Sequence, residues 1–198
     1  MRTSMKDLRL PLWFVIRRIT PILLFVAAVL VMVTAMSGQP APSGTSESAV
    51  AFRQLTSLAG EWQGIQDGVP IKETYTLTAN GTVLMSETKP ANSEAMITMF
   101  TVDGDHLIAT HYCVAGNQPQ LVTGVPGDLE KGVTFSLERV TGMKTPDDWH
   151  NTGLTMTLDD KDHMTQRWTY LYKGKTGTSI FHYARKKQPV DGQARTRR

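Results

Sequence analysis

The sequence predicts an all-β protein: one single antiparallel up-and-down β-barrel of about ten strands, preceded by an N-terminal transmembrane or signal helix. Three observations carry this. Between residues 60 and 186 the apolar residues fall into short runs of five to nine, separated at near-regular intervals by Gly, Asn, Asp and Pro. In the clearest runs apolar and polar side chains alternate, as they do along a half-buried strand. Before residue 40 the chain holds a long apolar stretch without a charge.

That stretch, residues 19–36, reads ITPILLFVAAVLVMVTAM, and its 18 residues sit at the lower edge of what spans a hydrocarbon core of about 30 Å. Arg17 and Arg18 stand directly before it and no basic residue follows until Arg53, so the positive-inside bias places the N-terminus in the cytoplasm and the rest outside. Residues 1–38 are therefore a signal peptide or a membrane anchor, and the expected location is periplasmic or otherwise extracytoplasmic. Val33, Ala35 and Ser37 offer small residues for cleavage, while the length of the run suits retention; the two alternatives stay open.

Residues 39–49 are rich in Pro, Gly and Ser and lack large apolar side chains, the composition of a flexible linker. The domain is expected to occupy residues 50–186. Its one helical candidate is 49–58, where Val50, Leu55 and Leu58, with Phe52 flanking, give a partly amphipathic turn or two. Strands are expected near 61–66, 71–79, 82–89, 95–102, 106–114, 120–124, 132–140, 151–158, 163–173 and 176–186. Val133, Phe135 and Leu137 share one face of their strand, as do Leu154, Met156 and Leu158. Strand 106–114 has mixed faces and its orientation is not set by pattern. Asn80-Gly81 suits a type I′ hairpin turn, with further hairpins at Asp103–Asp105, Asp159–Asp162 and Gly174-Lys175. Residues 187–198 have nothing to bury and read as a disordered basic tail.

The net charge of +3 does not belong to the domain. Residues 1–38 carry five basic and one acidic side chain, residues 186–198 the same, and 39–185 hold 11 basic against 16 acidic. A domain of that sign repels phosphate backbones, so nucleic acid is set aside as a partner. The single cysteine, Cys113, rules out an intramolecular disulfide framework.

Leu58-Ala59-Gly60-Glu61-Trp62 resembles the opening of calycin barrels, where Gly-x-Trp begins the first strand. Phe181-His182-Tyr183-Ala184-Arg185 resembles their last strand, whose arginine lies over that tryptophan. The resemblance implies a structural pair, Trp62 and Arg185, a contact worth about 0.5–2 kcal/mol depending on desolvation. More broadly, residues 52–186 resemble a group of uncharacterised bacterial lipocalin-like proteins, which implies a central cavity and no known activity.

His111, Tyr112, Asn117 and Gln118 form the densest set of chemically capable groups and are candidate ligand-binding residues at a barrel mouth. The plainer account makes Gly116-Asn117 a turn, Cys113 an apolar filler and His111 a hydrogen-bonded interior residue; one His and one Cys without a third ligand make no metal site. His182 is a further candidate, because the architecture resembles the heme-binding nitrobindins, which ligate iron through a late-strand histidine. Five histidines (106, 111, 150, 163, 182) would make a catalytic or metal cluster only by converging in space. Paired acids at 103/105, 147/148 and 159/160/162 fall in turns, and no nucleophile elbow, phosphate loop or zinc spacing supports catalysis.

The expected function is an exported or membrane-anchored, non-enzymatic module holding a small, apolar ligand, with flexible Met85, Met96 or Met99, Met156 and Met164 as candidate lining. The cofactor is unknown. The alternatives are a heme- or metal-dependent redox protein or enzyme in the same barrel, and a structural interaction module.

Overall fold

A computed structural model describes residues 46–187. The leader and the basic tail from residue 188 lie outside the described residues, as does most of the linker. Among the described residues no helix is long and apolar enough to cross a membrane.

Ten strands follow one helix, α1 (Glu47–Thr56). They are β1 (Gly60–Gln66), β2 (Val69–Thr78), β3 (Val83–Pro90), β4 (Met96–Asp103), β5 (His106–Tyr112), β6 (Gln118–Thr123), β7 (Val133–Thr141), β8 (His150–Asp160), β9 (His163–Tyr172) and β10 (Lys175–Arg185). Each pairs antiparallel with its sequence neighbours, and β1 pairs with β10 to close the barrel. Closure gives every described strand a partner on each side and so removes both sheet edges.

The turns explain how the meander is drawn. Asp67-Gly68 and Lys173-Gly174 both take positive φ (49° and 79°, 49° and 71°) in two-residue loops, the requirement of a type I′ turn matched to strand twist. The second lies one residue earlier than expected. The turn expected at Asn80-Gly81 is instead a longer connection, with three successive residues, Ala79, Asn80 and Gly81, at positive φ.

α1 starts earlier than the sequence predicts because Ser46 caps it, its side chain accepting from the Ala49 amide at 3.2 Å. Ser48 then turns inward and donates to the Gly104 carbonyl at 2.7 Å. The buried face is Ser48, Ala51, Phe52 and Leu55, the i, i+3, i+4, i+7 stripe of a helix packed on a core; Val50, counted on that face from sequence, is exposed.

The helix covers one end of the barrel, which is packed solid. Leu58, Leu84, Phe100, Leu107, Leu121, Phe135 and Met156 are all essentially inaccessible there. Phe100 and Phe135 meet edge-on with centroids 5.7 Å apart. Trp62 donates its indole N–H to the Leu58 carbonyl at 2.8 Å, and the Arg185 guanidinium lies 4.1 Å over its ring. Arg185 also donates to the carbonyls of Ala59, Ser57 and Lys161, tying together the chain entering β1 and the β8–β9 turn. The other end is open.

Candidate functional site

The strands carry a second set of inward residues towards the open end, and these are not all apolar. On β2 the inward parity runs Ile71, Glu73, Tyr75; on β3 Leu84, Ser86, Thr88; on β4 Thr98, Phe100; on β9 Met164, Gln166, Trp168. A polar layer therefore crosses the barrel between the solid core and the mouth.

Glu73 is at its centre, 1% exposed. Ser86 donates to one carboxyl oxygen and Thr88 to the other at 2.5 Å, while Gln166 approaches at 3.5 Å and donates to the Tyr75 hydroxyl at 2.6 Å. Trp168 completes the chain by donating to the Gln166 carbonyl at 2.8 Å. Burial pushes the Glu73 carboxyl above its ordinary range, against the pull of these hydrogen bonds, because no cation accompanies it into the interior. Tyr183 ends beside this group; its hydroxyl is buried and has no hydrogen-bond partner among the described residues. Burial, then the neighbouring Glu73 carboxyl, holds that phenol far above its usual range. Gly64 makes the arrangement possible, since a Cβ there would lie 2.3 Å from the His182 carbonyl oxygen and 3.2 Å from the Tyr183 ring.

Above the polar layer lies a cavity of about 440 Å³ that opens at the barrel mouth. Trp149, Trp168, Phe181 and the Tyr183 ring make most of its wall, with Met96 and the Cys113–Ala115 segment opposite. His111, Asn151, Gln166, Thr88, Ser179 and Gln66 bring polar groups to it. Among the described residues no Lys, Arg, Asp or Glu lines it. Aromatic walls with a few placed polar groups are the usual composition of a small-molecule pocket.

β5, whose facing the sequence left open, is oriented by its register on β4: Phe100 pairs with Ala109 and Thr98 with His111, so Leu107, Ala109 and His111 point inward. His111 is 4% exposed, its Nδ1 lies 2.9 Å from the Thr98 hydroxyl, and its ring packs 4.9 Å from that of Trp168. Burial pushes its pKa down to about 4, so the imidazole is neutral at physiological pH. The Cys113 thiol is raised by burial, the reverse of an activated nucleophile.

The remaining sequence-predicted site residues do not join His111. Tyr112 alternates to the outer surface and is half exposed, and Gln118 lies outside too, accepting a hydrogen bond from Thr141. Asn117 is buried at the mouth but is not among the lining residues; its amide donates to the Trp149 carbonyl at 2.6 Å, pinning the β5–β6 turn to the segment before β8. His182 points away from the barrel interior, where its Nδ1 meets Thr165 at 3.1 Å, because Phe181 and Tyr183 take the inward parity of β10. The nitrobindin-like use of His182 therefore has no geometric basis. Nor do the five histidines converge: among the described residues no three His, Cys, Asp or Glu side chains are placed to hold a metal ion. Of the methionines expected to line a hollow, Met96 does; Met85 and Met99 turn outward, and Met156 and Met164 fill the solid core.

Glu73, Tyr183, Gln166, Asn151 and the two tryptophans are the site residues that motif reading missed. Their signal was parity: a Glu between Ile71 and Tyr75, or a Gln between Met164 and Trp168, stands on the apolar face of its strand.

No protein-family model matches the chain, and comparison with curated proteins finds no match. Among solved structures it is similar to Rv2717c from M. tuberculosis, with 13% identity, a TM-score of 0.46, and coverage of 76% of this chain and 100% of that one. It is also similar to a protein of unknown function of the DUF3598 family from Nostoc punctiforme PCC 73102, with 13% identity and a TM-score of 0.37. That match covers 67% of this chain and about half, 49%, of the other. At such identities neither likeness speaks to activity, and what is established is a closed, ten-stranded antiparallel barrel with an aromatic-walled cavity at its open end.

Proposed function

We propose that this protein is a calycin-type, lipocalin-like binding module that holds a small, largely apolar molecule in its open-end cavity, on the outer side of the cytoplasmic membrane. One observation carries the reading: a cavity of about 440 Å³ walled by Trp149, Trp168, Phe181 and Met96, beneath which the barrel is solid. A pocket open to solvent and walled by large apolar side chains keeps that surface in water, a cost that a largely apolar occupant removes. The Trp62–Arg185 pair, at 4.1 Å, supports the calycin assignment. The uncharged run at residues 19–36 behind Arg17 and Arg18 supports export or anchoring.

Catalysis has less support. Among the described residues Glu73 is the one buried acid, and it is not among the residues that line the cavity. The test is a titration of the full chain with the neutral fluorophore 1-aminoanthracene, alongside Ser179→Trp, which places an indole in the cavity from β10. Saturable one-to-one binding to the wild type is expected, weakened about tenfold or more in the variant, because a filled cavity has no area left to bury. Equal affinity in the two proteins would locate the probe elsewhere and end the reading.

A further inference from the structure

Two of the polar residues that reach the cavity have groups with nothing to bond to. Thr98 is 2% exposed and its hydroxyl meets only His111 Nδ1 among the described residues. If that hydroxyl accepted from the ring its own hydrogen would be buried without an acceptor, which costs about 1–3 kcal/mol. Thr98 therefore donates to Nδ1, and the imidazole proton sits on Nε2. Nε2 has no protein partner among the described residues, and it is absent from the buried orphan atoms, so it opens on the cavity that the ring lines. In this tautomer the nitrogen facing the cavity presents a hydrogen, not the lone pair that a metal or heme iron needs. Asn151 is 5% exposed, lines the same cavity, and likewise has a side-chain amide with no partner among the described residues.

From this we infer that the cavity selects a neutral molecule bearing a hydrogen-bond acceptor oxygen, a ketone, ester or amide carbonyl, which His111 Nε2–H engages, with Asn151 a second contact and Thr98 the positioning residue that holds the tautomer. The inference rests on the binding reading above and adds the chemistry of the ligand's polar end. Charge argues for neutrality on both sides. A carboxylate head would find no cation among the lining residues and would approach a buried carboxyl, and an ammonium head would find no carboxylate in the wall. A saturated hydrocarbon would displace water from Nε2–H and leave that donor unpaired, the penalty by which hydrogen-bonding sites reject analogues lacking the polar atom.

The experiment uses the full chain and three probes of one shape: 2-acetylnaphthalene, 2-isopropenylnaphthalene, in which CH₂ replaces the carbonyl oxygen, and 2-naphthoate. Affinity is read from quenching of tryptophan fluorescence. The ketone is expected to bind about tenfold tighter than the alkene and the carboxylate weakest, and His111→Phe is expected to abolish the ketone's advantage over the alkene. Nitrogen-15 NMR of the histidines reads the tautomer without any variant: His111 is expected as Nε2–H in the wild type and as a mixture in Thr98→Val. Alkene binding equal to or tighter than ketone binding, naphthoate binding tightest, or an Nδ1–H tautomer in the wild type would each overturn the inference while leaving a binding cavity. If none of the three probes binds, the cavity reading itself fails and this inference with it.

Discussion

The two ends of the barrel are made from the same ten strands and solve opposite problems. At the α1 end the inward residues are mostly Leu, Phe, Met and Trp, and the buried polar groups described there have partners, Trp62 N–H on Leu58 and Ser48 on Gly104, while the half-buried Arg185 donates to three carbonyls. At the open end the inward residues are mixed in polarity and incompletely paired among the described residues, with Glu73 uncompensated by a cation, Tyr183 without a partner and His111 half-bonded. The difference teaches which end is built for stability. Imperfect pairing costs free energy, so a chain that confines it to the unplugged half of its barrel has reserved that half for something else.

Phe135→Ala, at the solid end, is expected to lower the unfolding free energy by about 3–5 kcal/mol, because the ring touches Phe100 edge-on and the cavity left behind cannot collapse within a closed barrel. Chemical denaturation measures it. A loss below 1 kcal/mol would show that the two ends are equally loose.

His111 is pushed down to about 4 by burial while an imidazole in the unfolded chain titrates near 6.5. Between those values the unfolded chain binds more protons, so stability is expected to fall as the pH drops from 6.5 to 4, by roughly 3 kcal/mol in all. Glu73, whose folded-state value is raised, acts in the opposite sense: its cost grows as the pH rises above 4.5. The difference between wild type and His111→Gln isolates the histidine, and an identical pH profile for the two would remove His111 from the buried wall.

The smallest effect is the most telling about the polar layer. Tyr183→Phe deletes a hydroxyl that satisfies nothing, so stability is expected to stay within about 1 kcal/mol of wild type or to rise, since a buried orphan group costs more than it contributes. A loss above 2 kcal/mol, measured by the same denaturation, would mean that the hydroxyl holds Glu73 in place.

The strands were readable because alternation is a local property. Val133, Phe135 and Leu137 declare an inward face with no knowledge of any partner, and the turn residues between runs set where each strand ends. β5 shows the limit: Leu107 to Cys113 and Ile108 to Val114 are equally plausible inner faces until pairing with β4 puts Ala109 opposite Phe100. The same limit applies to Tyr112 and Gln118, which are adjacent in sequence to His111 and Asn117 but lie on the other side of the sheet. His182 lies on the outer parity of β10 for a related reason, since Phe181 and Tyr183 take the inner one.

Strand count, the meander and the capping helix could be read from the chain alone, because each follows from periodicity or short motifs that neighbouring residues carry together; the Trp62–Arg185 contact was implied only by the resemblance of two short segments to calycin barrels. Only the tertiary structure decided that the lower half of the barrel is solid and the upper half hollow, and that Glu73, His111, Gln166 and Asn151 belong to one interior. Those residues come from four strands and span 94 positions, from Glu73 to Gln166. What brings them together is the closure of β1 on β10, a long-range pairing that no local pattern encodes.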